Sequence, residues 1–228
     1  MKIGIIGSGN MGRALGVRLA AVGHEVMFGA RRPAQAHAAV DRAGSGATAG
    51  SNDEAAAFGE VLVWTMRESN PAAVLSEPAL LDGKVVVDIN NRDYANEARV
   101  GAWFEQAIAE RLQDNAPEAR VVKAFNTIAM ESFDTSPEVL RTGGAQTFIA
   151  GSDPDAKAKV RELADTLGFQ TVDVGLGRAA LRGVEALGDV IRLIMIDAGQ
   201  GGRAHLTLTT LPEHDLTTVG NREISAYG

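Results

Sequence analysis

The sequence predicts an α/β protein with a doubly wound, mainly parallel sheet and a small helical part near the C-terminal end. The first observation is that short β-branched and apolar runs alternate with Ala- and Leu-rich stretches along most of the chain. The second is that the runs at 61–66 and 84–90 are largely apolar, which is typical of parallel strands covered by helices on both faces. A chain of 228 residues is long enough to bury such a sheet without disulfides.

The first half of the chain contains start and stop signals for its elements. Gly23 ends the first helix, Pro33 lies in the first turn of the second, where its missing N–H is not needed, and Ser51 can cap the third. The Gly- and Ala-rich segment 43–51 is predicted to be a loop. Strands are predicted over 2–6, 25–30, 61–66 and 84–90, and helices over 10–22, 33–43 and 53–58.

The second half continues the alternation and then changes in character. Ser152 or Asp153 can cap a helix that begins at Pro154. Strands are predicted over 121–125, 147–150, 170–174 and 205–211, and helices over 102–113, 154–167 and 179–196. We therefore expect residues 1–176 to form the sheet domain, and residues 177–228 to form a small C-terminal part with one helix, a terminal strand and a polar tail.

Composition and charge exclude several classes of function. A net charge of −7 leaves no basic stripe for a nucleic-acid backbone, so we expect no nucleic-acid partner. The absence of cysteine excludes thiol catalysis and suits a reducing compartment. The apolar stretch 184–198 contains several charged residues, and the apolar run at 3–6 is too short for a signal peptide. We therefore expect a cytoplasmic protein without a membrane partner and without a metal site.

A glycine-rich turn lies between the first predicted strand and the first predicted helix. In Rossmann domains the first glycine of such a turn allows the tight bend, the second lets the backbone approach a pyrophosphate, and the third lets helix and strand pack closely. Three glycines could also merely make a turn, but this context favours a binding site for an anion at the helix N-terminus. The sequence therefore predicts a Rossmann-type domain whose dinucleotide loop consists of Gly7, Ser8, Gly9, Asn10, Met11 and Gly12.

The residues after the second strand indicate which dinucleotide binds. An NAD-binding unit usually has an acidic residue at this strand end for the ribose 2′-OH, whereas this chain has Arg31 and Arg32. Two guanidinium groups suit a 2′-phosphate. The alternative is a solvated pair of arginines, but cations are unfavourable at a helix N-terminus. The sequence therefore favours NADP(H) over NAD(H).

Catalytic acids and bases are scarce. No histidine lies at the C-terminal end of a predicted sheet strand, so we expect the histidines to be structural or solvated. Tyr94 has Ala98 rather than lysine four residues later, which excludes the Tyr-x-x-x-Lys arrangement of short-chain dehydrogenases. The chain contains neither a cluster of metal ligands nor a G-x-S-x-G motif. The histidines concerned are His24, His37, His205 and His214.

Mostly neutral side chains follow the central strands instead. They could orient a nicotinamide by hydrogen bonds, or they could simply cap the strand ends. Hydride transfer between two cofactors needs mainly orientation and the exclusion of water, so such a site fits that reaction better than alcohol oxidation. The candidates are Thr65, Met66, Arg67, Asn90, Asn91, Asn126, Thr127 and Ile128.

Four segments together resemble a known family, the NADPH-dependent reductases of the deazaflavin coenzyme F420. The segments are KIGIIGSGNMGRALGVRLAAVGHEVMFGARR, VVKAFNTI, TFIAGSDPDAKAKVRELADTLGF and VEALGDVIRLIMIDAGQG. The resemblance covers most of the chain and implies an N-terminal Rossmann domain, a small C-terminal helical part and a homodimer. It also implies hydride transfer between NADP(H) and coenzyme F420 as a small-molecule partner.

The resemblance also implies roles for individual residues. Ser8, Asn10 and Met11 match the pyrophosphate loop, and Arg31 and Arg32 match the 2′-phosphate clamp. Residues next to the transferred hydride, which we expect to be catalytic, are Asn126 and Ile128. A further cofactor contact is implied for Met130, and the Gly199–Gly201 turn would flank the acceptor pocket. From their positions at the predicted strand ends, we expect Thr65, Met66, Asn90 and Thr127 to contact the cofactor as well.

Two departures from the family pattern leave alternatives open. The best-known members have histidine where this chain has Asn126, and residues 203–228 form an extension beyond the closing helix. Similar domains reduce flavin or ferric iron, so another acceptor is an alternative. The glycine loop also resembles that of imine reductases and pyrroline-carboxylate reductases, although these need a longer helical C-terminal domain. A non-enzymatic NADP-sensing module is a third interpretation.

Overall fold

A single eight-stranded sheet forms the centre of the protein. The computed structural model describes residues 1–44, 46–92 and 105–210. The strands are β1 (Lys2–Ile6), β2 (Glu25–Gly29), β3 (Ala47–Gly50), β4 (Val61–Trp64), β5 (Val85–Asp88), β6 (Arg120–Lys123), β7 (Gln146–Gly151) and β8 (Gln170–Gly175). Their order is β3-β2-β1-β4-β5-β6-β7-β8, and among these strands the β6·β7 pair is antiparallel while the others are parallel. The predicted mainly parallel, Rossmann-type sheet is confirmed.

Helices cover both faces of this sheet. They are α1 (Asn10–Ala21), α2 (Pro33–Ala43), α3 (Asn52–Phe58), α4 (Ile108–Asn115), α5 (Met130–Phe133), α6 (Pro137–Thr142), α7 (Pro154–Thr166) and α8 (Gly177–Arg192). Buried residues of α1, α2 and α7 belong to the apolar core on one face, and those of α3, α4 and α8 to the core on the other. The fold is therefore doubly wound, with the central strands β1, β4 and β5 buried between the two layers.

Local sequence accounts for the places where several helices begin. Ser51 accepts a hydrogen bond from the N–H of Glu54, and the Glu54 carboxylate accepts one from the N–H of Ser51, which is a complete capping box for α3. Asp153, rather than Ser152, caps α7. Pro33 occupies the first turn of α2, as predicted. These caps satisfy N–H groups that the helices leave without intrahelical partners.

Three sequence-based element assignments are wrong. The predicted loop 43–51 contains the edge strand β3, because its backbone pairs with β2 even though its side chains are small. The predicted helix 102–113 begins only at Ile108 in the described residues, and residues 102–104 lie outside them. The short helices α5 and α6 were not predicted, since four and six residues give too little periodicity.

The predicted terminal strand is also absent over 205–210, the part of it that the structure describes. The side-chain amide of Gln146 takes the place of a strand partner. It donates to the carbonyl oxygen of Leu208 (3.2 Å) and accepts from the Leu208 N–H (2.6 Å). The alternating pattern is therefore satisfied by one side chain rather than by a ladder of backbone hydrogen bonds. Residue 211 lies outside the described residues.

Helix α8 continues into a π-helical turn over Leu193–Asp197 and forms the helical C-terminal part that was predicted. It packs against β6, β7 and β8, on the same face as α3 and α4. The division of the chain at residues 176 and 177 stays a prediction. None of the described helices has the length and hydropathy needed to cross a membrane.

The order of the strands creates a crevice at one edge of the sheet. From β1 the chain proceeds first outward through β2 and β3, and then returns to the other side of β1 to form β4 and β5. In open α/β sheets, ligands bind at the carboxyl ends of the strands where the order reverses in this way. The residues that follow β1, β4, β5 and β6 meet at this edge.

Candidate active site

A crevice of about 340 Å³ lies at the reversal point of the sheet. It brings together residues that are far apart in sequence but follow neighbouring strands. The crevice is lined by Gly9, Asn10, Met11, Gly12, Thr65, Arg67, Ile89, Asn90, Asn91, Asn126 and Ile128. Most of the neutral side chains that were predicted from the strand ends therefore lie in one place.

A second cavity, of about 470 Å³, lies on the other side of the glycine loop. Gly9 lines both cavities, so the two cavities meet at the glycine loop. The second cavity is lined by Gly7, Ser8, Gly9, Ala30, Arg31, Arg32, Gln35, Asn52 and Met66. The two arginines that are predicted to bind the 2′-phosphate thus lie in a different cavity from the asparagine side chains of the crevice. The two ends of a dinucleotide would require this separation.

Each glycine of the loop meets a different structural requirement. Gly7 has a φ of +99°, which favours glycine. A Cβ on Gly12 would collide with the carbonyl oxygen of Gly7, so α1 and the loop can approach closely only without a side chain there. A Cβ on Gly9 would meet no protein atom within 4 Å and would extend into open space. The protein's own packing therefore does not require glycine at position 9, but a ligand lying across the loop would.

Two helices direct their N-termini towards the second cavity. Neither Gly9, before α1, nor Arg32, before α2, provides a side-chain cap, and neither helix has an acidic residue in its first turn. In contrast, α3 has both a capping side chain and acidic residues in its first turn. Free N–H groups and the positive ends of two helix dipoles, together with Arg31 and Arg32, make this cavity suitable for anionic groups.

Two of the predicted cofactor contacts use their hydroxyl groups to hold the loop. Ser8 is buried and donates from Oγ to the carbonyl oxygen of Gly29 (2.8 Å). Thr65 Oγ1 lies 3.0 Å from the carbonyl oxygen of Ile6 and 2.6 Å from that of Gly7. These hydroxyls anchor the glycine loop to β1, β2 and β4, and we infer that Ser8 would contact a ligand through its backbone.

The amides of the crevice form a network of their own. Asn91 donates to the carbonyl oxygen of Asn126 (2.6 Å), and Asn126 donates to Oδ1 of Asn91 (3.0 Å). Asn126 also donates to the carbonyl oxygen of Val184 in α8 (2.9 Å). Asn90 donates to the carbonyl oxygen of Trp64 (3.0 Å) at the end of β4. The crevice wall is therefore preorganised by hydrogen bonds between three strand ends and α8.

Three buried polar atoms in this region have no hydrogen-bond partner in the described structure: Asn52 Oδ1, Asn126 Oδ1 and Thr127 Oγ1. Buried polar atoms are normally paired, so such atoms at a cavity indicate a polar ligand. Asn52 lines the second cavity and Asn126 lines the crevice, whereas Thr127 is buried and lines neither. Together with the open space above Gly9, these atoms show that the residues present fit a dinucleotide.

The residue before Asn126 has an unusual backbone conformation. Phe125 has a φ of +57°, which is uncommon for a bulky residue, and it is fully buried. Its N–H donates to Oγ1 of Thr147 (2.9 Å), and its ring packs edge-on against Phe169 with centroids 6.1 Å apart. Such strain persists where the surrounding structure enforces it, and here it turns the chain so that Asn126 reaches the crevice.

A buried charge cluster supports the crevice, and sequence analysis missed it. Lys123 Nζ lies 2.8 Å from a carboxylate oxygen of Asp88 and 2.9 Å from one of Glu185, and all three side chains are almost inaccessible to solvent. Lys123 also donates to the carbonyl oxygen of Asn90. Asp88 Oδ1 accepts from the backbone N–H (3.1 Å) and side chain (2.6 Å) of Asn90. The cluster therefore holds Asn90 in place.

Burial and charge act in opposite directions on the groups of this cluster. Burial lowers the pKa of Lys123, but Asp88 and Glu185 outweigh it and raise that pKa above its usual value. Burial raises the pKa of the Glu185 carboxyl, and Lys123 opposes this effect only in part. The sequence did contain a signal for this cluster, because Asp88 and Lys123 are charged residues within two largely apolar strands. The two residues lie in direct register.

Helix α8 is attached to the crevice at a second point. Arg92 forms a buried ion pair with Asp189. A Cβ on Gly188 would collide with the side chain of Asn91, so α8 lies directly on the amide network. The C-terminal helix thus supports residues that line the crevice, a role that its apolar stripe did not indicate.

Several predicted residues lie away from the crevice. Met66 lines the second cavity, and Met130 lines a neighbouring groove along α1. The Gly199–Gly201 turn precedes Gly202, whose carbonyl oxygen accepts from Ser132 of α5 (3.3 Å). These positions separate residues that the sequence had grouped together, and their roles stay predictions.

The described histidines lie outside the residues that line the crevice. His24 contacts Thr166 (3.0 Å), and burial followed by the charge of the N-terminus lowers its pKa. His205 contacts Ser132 (3.1 Å), and burial lowers its pKa as well. His37 is exposed, and His214 lies outside the described residues. Across the described parts of the chain, no group of three or more His, Cys, Asp or Glu residues could hold a metal ion.

Comparison with known proteins gives matches that agree with this geometry. A family model described as NADP oxidoreductase coenzyme F420-dependent matches residues 2–92. The F420-dependent NADP reductase of Methanothermobacter marburgensis is 28% identical over 234 residues, which cover 93% of this chain and 100% of the reductase. A solved protein from Arthrobacter sp. FB24, described as a candidate F420-dependent NADP reductase, has a TM-score of 0.76 and 28% identity, covering 92% of this chain and 100% of that one.

A second type of relative is longer than this chain. Metalloreductase STEAP3 of Rattus norvegicus is 32% identical over 186 residues, which cover 82% of this chain and 36% of that protein. The chain spans about a third of the length of the metalloreductases that it matches. The family model, the full-length reductase match and the shared fold agree with one another: this chain resembles the coenzyme F420-dependent NADP oxidoreductases in sequence and in fold.

Proposed function

We propose that this protein transfers a hydride between NADP(H) and the deazaflavin coenzyme F420. The observation that carries the proposal is the chemistry of the crevice: of the described residues that line it, none is a carboxylate, histidine, lysine or tyrosine. Such a site has no side chain suited to general acid–base work, and hydride transfer between two flat rings needs orientation rather than proton transfer by the protein. The full-length match to an F420-dependent reductase supports the same acceptor.

The adenosine end of NADP(H) would lie in the second cavity. Arg31 and Arg32 would hold the 2′-phosphate with charge-assisted hydrogen bonds, and Asn52 Oδ1 would accept a hydrogen bond from the ligand. Gly9, which lines both cavities, would allow the pyrophosphate to cross the loop at the N-terminus of α1. Met66 would contact the adenosine side of the ligand.

The nicotinamide end would lie in the crevice. Asn126 would accept a hydrogen bond through its unpaired Oδ1, while Asn90 and Thr65 would line the same space. Met11 and Ile128 would provide apolar surface that excludes water from the reacting atoms. Bound NADPH supplies a hydride from nicotinamide C4, and C5 of the deazaflavin would receive it.

The test is a comparison of hydride acceptors with the purified protein. NADPH oxidation is measured with coenzyme F420, flavin mononucleotide, a ferric chelate and a cyclic imine, each over a range of pH values. We expect the highest kcat/KM with coenzyme F420 and a rate that changes little with pH between about 6 and 8, because no crevice group in the described residues titrates there. Absence of turnover with coenzyme F420 at every pH would refute the proposed acceptor.

Reduction of a flavin or of ferric iron is the second candidate function. The observation that favours it is the 32% identity with a metalloreductase over most of this chain. A higher kcat/KM with flavin mononucleotide or the ferric chelate than with coenzyme F420 would establish this alternative. NADP(H) binding without turnover of any acceptor would instead point to a sensing module.

The assembly that we propose is a homodimer in the cytoplasm. Val190, Leu193 and Ile196 recur on one side of α8 and its π-helical extension, and they are 45%, 39% and 63% exposed. A row of exposed apolar side chains at this spacing is suited to packing against a second copy of the same helix. The absence of cysteine from the sequence supports a reducing compartment.

A further inference from the structure

A groove of about 400 Å³ runs along α1 and meets the crevice at Asn10. Residues from α1, the end of α2 and the region of α5 form its walls. Six of these residues define what we call the arginine groove: Asn10, Arg13, Arg18, Arg42, Met130 and Asp134.

The arginine groove carries positive charge that the described residues do not neutralise. Arg13 is hydrogen-bonded to Oδ1 of Asn10 (3.2 Å), and Arg18 donates to the carbonyl oxygen of Phe133 (2.7 Å), so both are held by neutral acceptors. Within the described ranges, no carboxylate lies within salt-bridge distance of Arg13, Arg18 or Arg42. Asp134 is the single acidic residue in the lining. In a chain with a net charge of −7, this excess is local and suits an anion.

The arginine groove is continuous with the crevice. Asn10 lines both spaces, at the first turn of α1. Arg13 follows one turn later and Arg18 about two turns later, roughly 5 and 12 Å along the helix axis at 1.5 Å per residue. A ligand with its reactive ring in the crevice could therefore extend a substituent along α1 past Arg13 and towards Arg18.

We propose that the arginine groove binds a negatively charged substituent, a phosphate or a carboxylate, of the electron acceptor. This inference rests on the proposed function, because it assigns the acceptor ring to the crevice. Arg13 and Arg42 would contact the anionic group, and Met130, which is 37% exposed, would contact the apolar linker next to it. The 2′-phosphate of NADP(H) would not occupy the groove, because Arg31 and Arg32 lie in the other cavity.

The experiment uses two pairs of acceptors that differ by a charged side chain. The first pair is flavin mononucleotide and riboflavin, and the second is coenzyme F420 and 8-hydroxy-5-deazariboflavin, which keeps the ring and the ribityl chain but lacks the phosphate-linked chain. Dissociation constants are measured with the NADP⁺-saturated protein, and KM values are measured by NADPH oxidation. The variants are Arg13→Gln and Arg42→Gln, with Arg141→Gln as the matched control, because Arg141 is an exposed arginine that lies outside the groove lining.

We expect the wild-type protein to bind the charged member of a pair at least fivefold more tightly than the neutral member. Arg13→Gln and Arg42→Gln should each reduce this preference about two- to fivefold, the range expected for a solvent-accessible charge pair, and Arg141→Gln should not change it. Increasing the salt concentration from about 0.05 to 0.5 M should reduce the wild-type preference as well. NADPH affinity should be the same in all four proteins.

Equal affinity for both members of each pair, or no binding of the charged members, would overturn the arginine groove as an acceptor site. Turnover of coenzyme F420 and 8-hydroxy-5-deazariboflavin with the same KM would overturn the groove but leave the proposed function intact. A preference for the charged members that both groove variants reduce, without turnover of any acceptor, would support the groove and refute the proposed function.

Discussion

Replacing Lys123 by methionine tests whether the buried charge cluster stabilises the crevice. The substitution keeps the length of the side chain but removes an ammonium group within 2.9 Å of two carboxylates, Asp88 and Glu185. Breaking a buried ion pair in this way costs about 3–5 kcal/mol of the free energy of unfolding. Asp88 still accepts hydrogen bonds from Asn90, and Glu185 still accepts one from the N–H of Ile108. We therefore expect the free energy of unfolding to fall by about 3 kcal/mol at pH 8.

The loss should depend on pH with a defined sign. Burial already raises the pKa of Glu185 in the wild type, and removal of Lys123 takes away the charge that opposes this effect. A carboxyl with a raised folded-state pKa stabilises the protein below its unfolded-state pKa, and this contribution is lost as the pH rises through the folded-state value. The difference in the free energy of unfolding between Lys123→Met and the wild type should therefore become smaller as the pH falls from 8 towards 5.

Urea denaturation at pH 8 and pH 5.5 measures these differences. Lys159→Met is the matched control, because Lys159 pairs with Glu60 on the surface at 3.5 Å, and its loss should cost less than about 1 kcal/mol. Adding Glu185→Gln to Lys123→Met should recover part of the lost stability, since one of the two buried carboxylates is then neutral. A loss below about 1 kcal/mol at pH 8, or a loss that is the same at both pH values, would refute this reasoning.

Three further predictions concern binding and assembly. Arg31→Ala should weaken NADPH binding by about 1.5–3 kcal/mol, the contribution of a charge-assisted hydrogen bond, and hardly change NADH binding; calorimetry with both ligands checks this, and equal losses would contradict the 2′-phosphate assignment. Gly9→Ala should leave the midpoint of unfolding unchanged, because the added Cβ meets no protein atom within 4 Å. The same substitution should weaken NADPH binding at least tenfold, and an NADPH affinity equal to that of the wild type would show that no ligand crosses the loop closely. Ile196→Glu should convert the proposed homodimer to a monomer in light scattering, whereas Val139→Glu, at an equally exposed position on α6, should not; a monomeric wild type, or a dimer that survives Ile196→Glu, would refute the proposed interface.

The parts of the fold that could be predicted are those that depend on local pattern. Largely apolar runs identified β4 and β5, and the glycine loop identified the turn between β1 and α1, because burial on both faces and tight turns restrict residue type directly. The edge strand β3 could not be predicted, since Ala47–Gly50 has small residues and its pairing with β2 is a backbone interaction. The strand predicted over 205–211 is absent over 205–210, because the side chain of Gln146, and not a neighbouring strand, forms hydrogen bonds with the backbone there.

The residues of the candidate site also divide into those that a local sequence pattern predicts and those that it does not. Asn90 and Asn126 were predicted because polar residues directly after buried strands lie at the edge where ligands bind, and both line the crevice. The Lys123 cluster was missed although Asp88 and Lys123 interrupt two apolar strands. Its third member, Glu185, lies 62 residues from Lys123 on α8, and nothing local indicates that they meet.

The sequence by itself determined the Rossmann-type sheet, the glycine loop and the arginine pair that favours NADP(H), because each depends on the steric or electrostatic properties of a few neighbouring residues. Only the tertiary structure decided that α8 supports the crevice through the ion pairs of Glu185 and Asp189, and that Arg13 and Arg42 share a groove with the first turn of α1. These contacts join residues from separate elements, and their geometry depends on how the whole chain packs rather than on any local pattern.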